Sequence, residues 1–239
     1  MNRFEDFFYN QEKNNVIDKW THYFEIYHKH FEQFLGKSPV ILEIGVAGGG
    51  SIDMWNYYFN DCTIYGVDIN PTCKQFEKDN VKIFIGDQGD HTFWETNFKN
   101  VYFDIIIDDG GHFMHQQIIS FEYLYSFVKK PGVYLCEDTH TSYWKDWGGG
   151  GENSFINFSK NFIDKLHAYH NSMDTAFRDS TFCISYYDSV VVLDKKNNSP
   201  PICRQMYPIK KIIDCFLFYN ETDLLDYRIN LLKNIVHIL

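Results

Sequence analysis

The sequence predicts a doubly wound α/β fold on a mostly parallel sheet. Two observations carry that prediction. Short apolar runs rich in Ile, Val and Tyr alternate with helix-length segments. Three of the runs stop at acidic residues followed by Gly or Thr, at Glu43-Ile44-Gly45, Asp108-Asp109-Gly110 and Glu137-Asp138-Thr139, as buried parallel strands do.

Each element follows in order. Ile17, Trp20, Tyr23, Phe24, Tyr27, Phe31 and Phe34 recur at spacings of three and four, which predicts an amphipathic helix over 15–35. Strands are expected at 40–45, 63–68, 81–85, 103–108 and 132–138, with helices near 51–59, 72–79, 93–98, 114–128 and 155–169. Runs 181–187 and 190–193 are separated only by Asp188-Ser189, so they are expected to form an antiparallel edge hairpin and complete seven strands. The whole chain, 1–239, is expected to be one domain, with an N-terminal helical segment at 1–38 and a C-terminal loop and helices at 196–239.

Composition narrows the chemistry. A net charge of −10 argues against a general phosphate-backbone binder, so no nucleic-acid partner is expected. No apolar run reaches the roughly 18 residues that span a bilayer. Six scattered cysteines without a C-x-x-C pair read as reduced thiols, which with the polar N-terminus makes a cytoplasmic location the expectation.

In an open α/β sheet the ligand crevice lies along the carboxyl ends of the strands. Glu43-Ile44-Gly45-Val46-Ala47-Gly48-Gly49-Gly50-Ser51 reads as a strand-to-helix turn in which Glu43, Gly45, Gly48 and Ser51 surround a ligand held close to the backbone. Asp68, ending the second strand, can accept hydrogen bonds from a ribose, and Asp87-Gln88, after the third, can read an adenine edge. Asp108 is either a helix cap or a neighbour of the cofactor. Asp109, Glu137 and Asp138 offer hard oxygens that point to Mg²⁺ first and to Mn²⁺ or Ca²⁺ next. His112, three residues after Asp109, is the candidate general base. His115 reads as a helix-surface residue and His140 as a pocket-lining one. Gly148–Gly151 is either a connector or a mobile substrate loop.

The three strand ends together resemble those of the class I S-adenosylmethionine-dependent methyltransferases. The segments Asp108-Asp109-Gly110-Gly111-His112, Gln116-Gln117 and Glu137-Asp138-Thr139-His140-Thr141-Ser142-Tyr143-Trp144 narrow the resemblance to the metal-dependent sugar O-methyltransferases that act on macrolide deoxysugars. That resemblance implies a Rossmann-like sheet, S-adenosylmethionine as methyl donor, Asp109, Glu137 and Asp138 as metal ligands and His112 as base. It also implies that the N-terminal helix closes over the cofactor through Tyr23 or Tyr27. The expected acceptor is a small-molecule sugar, nucleotide-linked for a surface polysaccharide or part of a glycosylated small molecule, with Lys145, Arg178 or Arg204 as candidate phosphate ligands. A catechol-like acceptor and a noncatalytic S-adenosylmethionine-binding protein are the alternatives. The long N-terminal auxiliary domain of the macrolide enzymes is not expected in this chain, and homo-oligomerisation through the edge hairpin or C-terminal helices stays open.

Overall fold

A computed structural model describes residues 1–206, together with Asp226 and Asn230. The chain divides into two compact units, Met1–Pro200 and Pro201–Leu239, and the first contains the sheet and its helices. The expected C-terminal helices lie almost wholly outside the described residues.

The first unit runs α1 (Arg3–Asn10), α2 (Tyr23–Phe31), β1 (Val40–Ile44), α3 (Gly50–Phe59), β2 (Thr63–Asp68), β3 (Val81–Ile85), α4 (His91–Asn97), β4 (Phe103–Asp108), α5 (Met114–Leu124) and β5 (Val128–Cys136). Helices α6 (Phe155–Leu166), α7 (Ala168–Asn171) and α8 (Ala176–Ser180) then lead to β6 (Thr181–Tyr187) and β7 (Val190–Lys195). The strands form one sheet in the order β3-β2-β1-β4-β5-β7-β6. Strands β1 to β5 are parallel, whereas β7 is antiparallel to both β5 and β6, so the hairpin closes one edge as expected.

Alternation along the central strands sorts the core into two faces. Ile41, Ile105, Ile107, Val133 and Leu135 pack with Phe4, Tyr27 and Trp55 of α1–α3, while Leu42, Ile106 and Tyr134 face Trp94, Phe121 and Phe155 of α4–α6. Helices therefore cover both faces, leaving the strand ends as the place where a ligand can enter. Among the described residues, no helix is long and apolar enough to cross a membrane. Cys62, Cys73, Cys136, Cys183 and Cys203 are free thiols.

The N-terminus departs from expectation. Instead of one helix over 15–35, the chain forms α1, an irregular strap over 11–22, and a shorter α2. The Asn2 side chain caps α1 and its backbone N–H donates to Glu5 Oε2, while Phe4 stacks on Tyr58 at 3.7 Å. The strap carries Asn14, Asn15, Val16, Ile17 and Asp18, all weak helix formers, and it gains backbone partners outside itself. The helix expected at 72–79 is a 3₁₀ turn, Pro71–Phe76, started by Pro71 and capped by the Asn70 side chain.

Candidate active site

Strand pairing sets the site. Ile44, Asp108 and Cys136 are neighbours across β1, β4 and β5, so Gly45, Asp109 and Glu137 follow side by side at the carboxyl edge. The ladder continues one step beyond the strands: Gly45 N donates to Val67 O at 2.8 Å, Asp109 N to Ile44 O at 2.9 Å, and Glu137 N to Asp108 O at 2.9 Å. Ala47, His112 and Asp138 hold left-handed backbones, with φ of 44°, 58° and 51°. Such conformations are uncommon outside glycine and cluster at functional sites, and each of these three follows a strand of the same sheet edge.

One cavity of about 330 Å³ lies between β1, β2 and β4. Gly45, Asp68, Asp87 and Gln88, expected to border a cofactor, are among its walls together with Asp109 and His112. Asp68 Oδ2 accepts from Val46 N at 3.0 Å and Ala47 N at 2.9 Å, so this acid also shapes the turn opposite it. Asp87 Oδ1 accepts from Gly89 N at 2.8 Å. Gln88 is buried, donating to Asp108 Oδ1 at 3.0 Å and accepting from Gly111 N at 2.6 Å.

Other sequence candidates sit behind that wall. Glu43 is fully buried and accepts from Trp55 Nε1 at 2.9 Å; burial pushes its carboxyl up to about 7, partly offset by Lys19 and Trp55. Burial likewise pushes Asp108 up to about 7, against the hydrogen bonds from Gln88 and Tyr134. Gly48 faces Val16, because a Cβ there would lie 2.7 Å from the Val16 carbonyl oxygen, and Ser51 is buried at the start of α3. The strap occupies the space beside Gly48.

A second cavity of about 420 Å³ shares Asp109 with the first and adds Lys19, Trp20, Tyr23, Glu137 and Asp138. Two of the three expected metal ligands, Asp109 and Asp138, come together with the expected base, and Glu137 lies outside that group. His112 Nε2 is 3.5 Å from Asp138 Oδ2 and 3.8 Å from Asp109 Oδ1. Its Nδ1 is buried with no hydrogen-bond partner among the described residues. Tyr23 donates to Asp138 Oδ1 at 2.6 Å and Tyr27 to Glu137 Oε1 at 2.7 Å. The two tyrosines thus reach the acidic cluster. Neither is among the walls of the 330 Å³ cavity.

Sequence reading missed Lys19. Its ammonium donates to Asp109 Oδ2 and, at 2.9 Å, to Glu137 Oε2. Burial works against that ammonium, but the charges of Asp109 and Glu137 outweigh it and raise its affinity for a proton. A lone lysine in a polar, Asn-rich segment carries no signal that distinguishes it from a solvated one. Glu137 is raised above the usual carboxylate range by burial and then by Asp109; Asp109 is raised by burial despite Lys19 and His112.

The donor set fits a divalent cation. One oxygen each from Asp109 and Asp138, with a ring nitrogen of His112, lie within 4.8 Å of one another, and Glu137 is linked to Asp109 through the Lys19 ammonium that both accept from. Hard carboxylate oxygens of this kind suit Mg²⁺ or Mn²⁺.

No family model matches the chain. The MycE methyltransferase of the mycinamycin pathway, solved in complex with Mg, SAH and mycinamycin VI, superposes with a TM-score of 0.69 at 29% identity, over 75% of this chain and 50% of that one. The chain has the class I S-adenosylmethionine-dependent methyltransferase fold. Among curated proteins, demethylmacrocin O-methyltransferase of Streptomyces fradiae is 34% identical over 167 residues, 63% of this chain and 42% of that protein. The 8-demethyl-8-(2-methoxy-alpha-L-rhamnosyl)-tetracenomycin-C 3'-O-methyltransferase of Streptomyces olivaceus is 30% identical over 206 residues, 77% of this chain and 53% of that protein. The chain therefore spans about half the length of the curated relatives it matches. This methyltransferase fold places the two cavities on the same sheet edge, one behind the glycine turn and one over the acidic cluster.

Proposed function

We propose that the chain is an S-adenosylmethionine-dependent, divalent-metal-dependent O-methyltransferase acting on a sugar hydroxyl of a glycosylated small molecule. The observation that carries this reading is that Asp109 belongs to both cavities, so a methyl donor in one and an acceptor over the acidic cluster in the other would meet beside His112. The relatives' names support the acceptor class, since they describe methylation of rhamnosyl or olivosyl groups on small molecules. A nucleotide-linked sugar for a polysaccharide has weaker support. Arg178, a candidate for its phosphates, instead donates to Asp179 at 3.0 Å and to Ser199 O at 2.7 Å.

Asp68, Asp87 and Gln88 would bind the nucleoside part of the donor, and Gly45 and Ala47 would let it approach the backbone. Asp109, Asp138 and Glu137 would hold the metal. When bound, S-adenosylmethionine supplies an electrophilic methyl group on sulfur, and the cation supplies charge that makes an acceptor hydroxyl more acidic. His112 accepts the proton that this hydroxyl gives up, at Nε2, the ring atom facing Asp109 and Asp138. The Trp147 ring lies 6.0 Å from that of His112, on the border of the site.

Chelator-treated protein assayed with S-adenosylmethionine, with and without Mg²⁺, against glycosylated small molecules, nucleotide sugars and catechols tests this reading. Mg²⁺-dependent methylation of a sugar hydroxyl is expected. Transfer only to catechols would overturn the acceptor class, and transfer unaffected by chelation would overturn the metal.

A further inference from the structure

The strap over 11–22 is mostly exposed, with Val16 bridged to Gly49, Ile17 packed against the core and one side chain deeply buried. Gly50 N donates to Val16 O at 3.0 Å and Asn15 Nδ2 to Asp53 Oδ2 at 2.7 Å, while Glu12, Lys13, Asn14, Val16, Asp18 and Trp20 are exposed. From this exposed segment Lys19 buries its side chain to 4% exposure, with its ammonium between Asp109 and Glu137. Tyr27 takes the other Glu137 oxygen, so both oxygens of that buried carboxylate are engaged.

An ammonium and a divalent cation compete for such oxygens. Both need the same negative lone pairs, and two positive centres bridging the same carboxylates would repel one another. We propose that Lys19 is a tethered cation occupying the seat between Asp109 and Glu137, and that a divalent ion enters that seat only by displacing it and lifting the strap. The inference rests on the metal-dependent reading above. It adds that metal entry remodels the second cavity, because Lys19 and Trp20 form part of its wall.

The same geometry offers one rival arrangement. With Lys19 seated, Asp109 Oδ1, Asp138 and His112 still form a compact donor set, and a cation held there would leave Glu137 and the strap untouched. The two arrangements respond differently to substitution.

Calorimetric titration of chelator-stripped protein with Mn²⁺ separates them, with S-adenosylhomocysteine binding reporting that each variant is folded. Lys19→Gln is expected to bind Mn²⁺ at least about tenfold more tightly than the unsubstituted protein, and Glu137→Gln at least about tenfold less tightly, each tenfold being about 1.4 kcal/mol. In the unsubstituted protein, saturating Mn²⁺ is expected to speed tryptic cleavage after Lys13 and Lys19. Unchanged or weaker binding by Lys19→Gln, unchanged binding by Glu137→Gln, or cleavage indifferent to Mn²⁺ would each overturn the displacement while leaving the metal reading intact. Absence of Mn²⁺ binding to any of the three proteins would overturn both.

Discussion

Gly45 is the point at which sequence, fold and site depend most directly on one another, and Gly45→Ala tests that dependence. Its φ is +92°, and a Cβ would fall on the Asp109 carbonyl oxygen, well inside van der Waals contact. A left-handed alanine costs about 1–2 kcal/mol in itself. The collision cannot be relieved by a side-chain rotation, because both partners are backbone. It would strain the Gly45 N to Val67 O and Asp109 N to Ile44 O bonds, each contributing about 1 kcal/mol. The expected loss is therefore about 3–4 kcal/mol. Gly36 supplies the control: its φ is +71°, but nothing lies within 4 Å of its Cβ position, so Gly36→Ala should lose only the conformational part, about 1–2 kcal/mol. Urea denaturation read by fluorescence gives both values, and calorimetry with S-adenosylhomocysteine should show weakened binding for Gly45→Ala alone. Equal stabilities and equal affinities would refute the claim that the β1–β4 junction is held open for glycine.

Three further outcomes are expected. His112→Asn, which keeps a residue that tolerates φ of +58°, should lower turnover at least about 100-fold at saturating S-adenosylmethionine; near-normal turnover would remove His112 as base. Tyr27→Phe leaves an oxygen of buried Glu137 without its 2.7 Å hydrogen bond and should cost about 1–3 kcal/mol in denaturant unfolding, with a negligible loss arguing against that bond. The Glu43 carboxyl keeps its proton to about pH 7 when folded against an ordinary value of 4.5, so between those values the native state binds more protons than the unfolded chain, and stability falls as pH rises. Glu43→Gln should remove about 3 kcal/mol of that decline, read as the pH dependence of the stability difference from the unsubstituted protein; a parallel pH profile would contradict it.

The parallel sheet was legible because its signal is local and repeated. Buried strands need apolar residues on both faces, and the runs Val40–Ile44 and Phe103–Asp108 show this without a long-range clue. The acidic edge was legible for a related reason, since strand ends are ordered by topology and neighbouring ends must converge. The N-terminus was not. Ile17 and Trp20 match a helical period by spacing, yet they lie in the strap, whose course depends on Gly48 and Gly50 far along the chain. Periodicity cannot register a partner that distant.

That strap changes what the glycine turn is for. A run of four small residues, Ala47-Gly48-Gly49-Gly50, invites the reading that a ligand presses against the backbone. Only part of it serves that end. Ala47 lines the 330 Å³ cavity, but Cβ atoms at Gly48 and Gly50 would strike the Val16 backbone and, at Gly50, the Ile17 side chain. The latter two glycines make room for the chain's own segment, and the hydrogen bond from Gly50 N to Val16 O anchors it there. The segment so anchored is the one that delivers Lys19 to Asp109 and Glu137. A single turn therefore borders the 330 Å³ crevice on one side and seats, on the other, the strap that carries the Lys19 ammonium to the acidic cluster. A side chain added at Gly48 or Gly50 would first perturb the strap and the acidic cluster, whereas one added at Gly45 would first perturb the crevice.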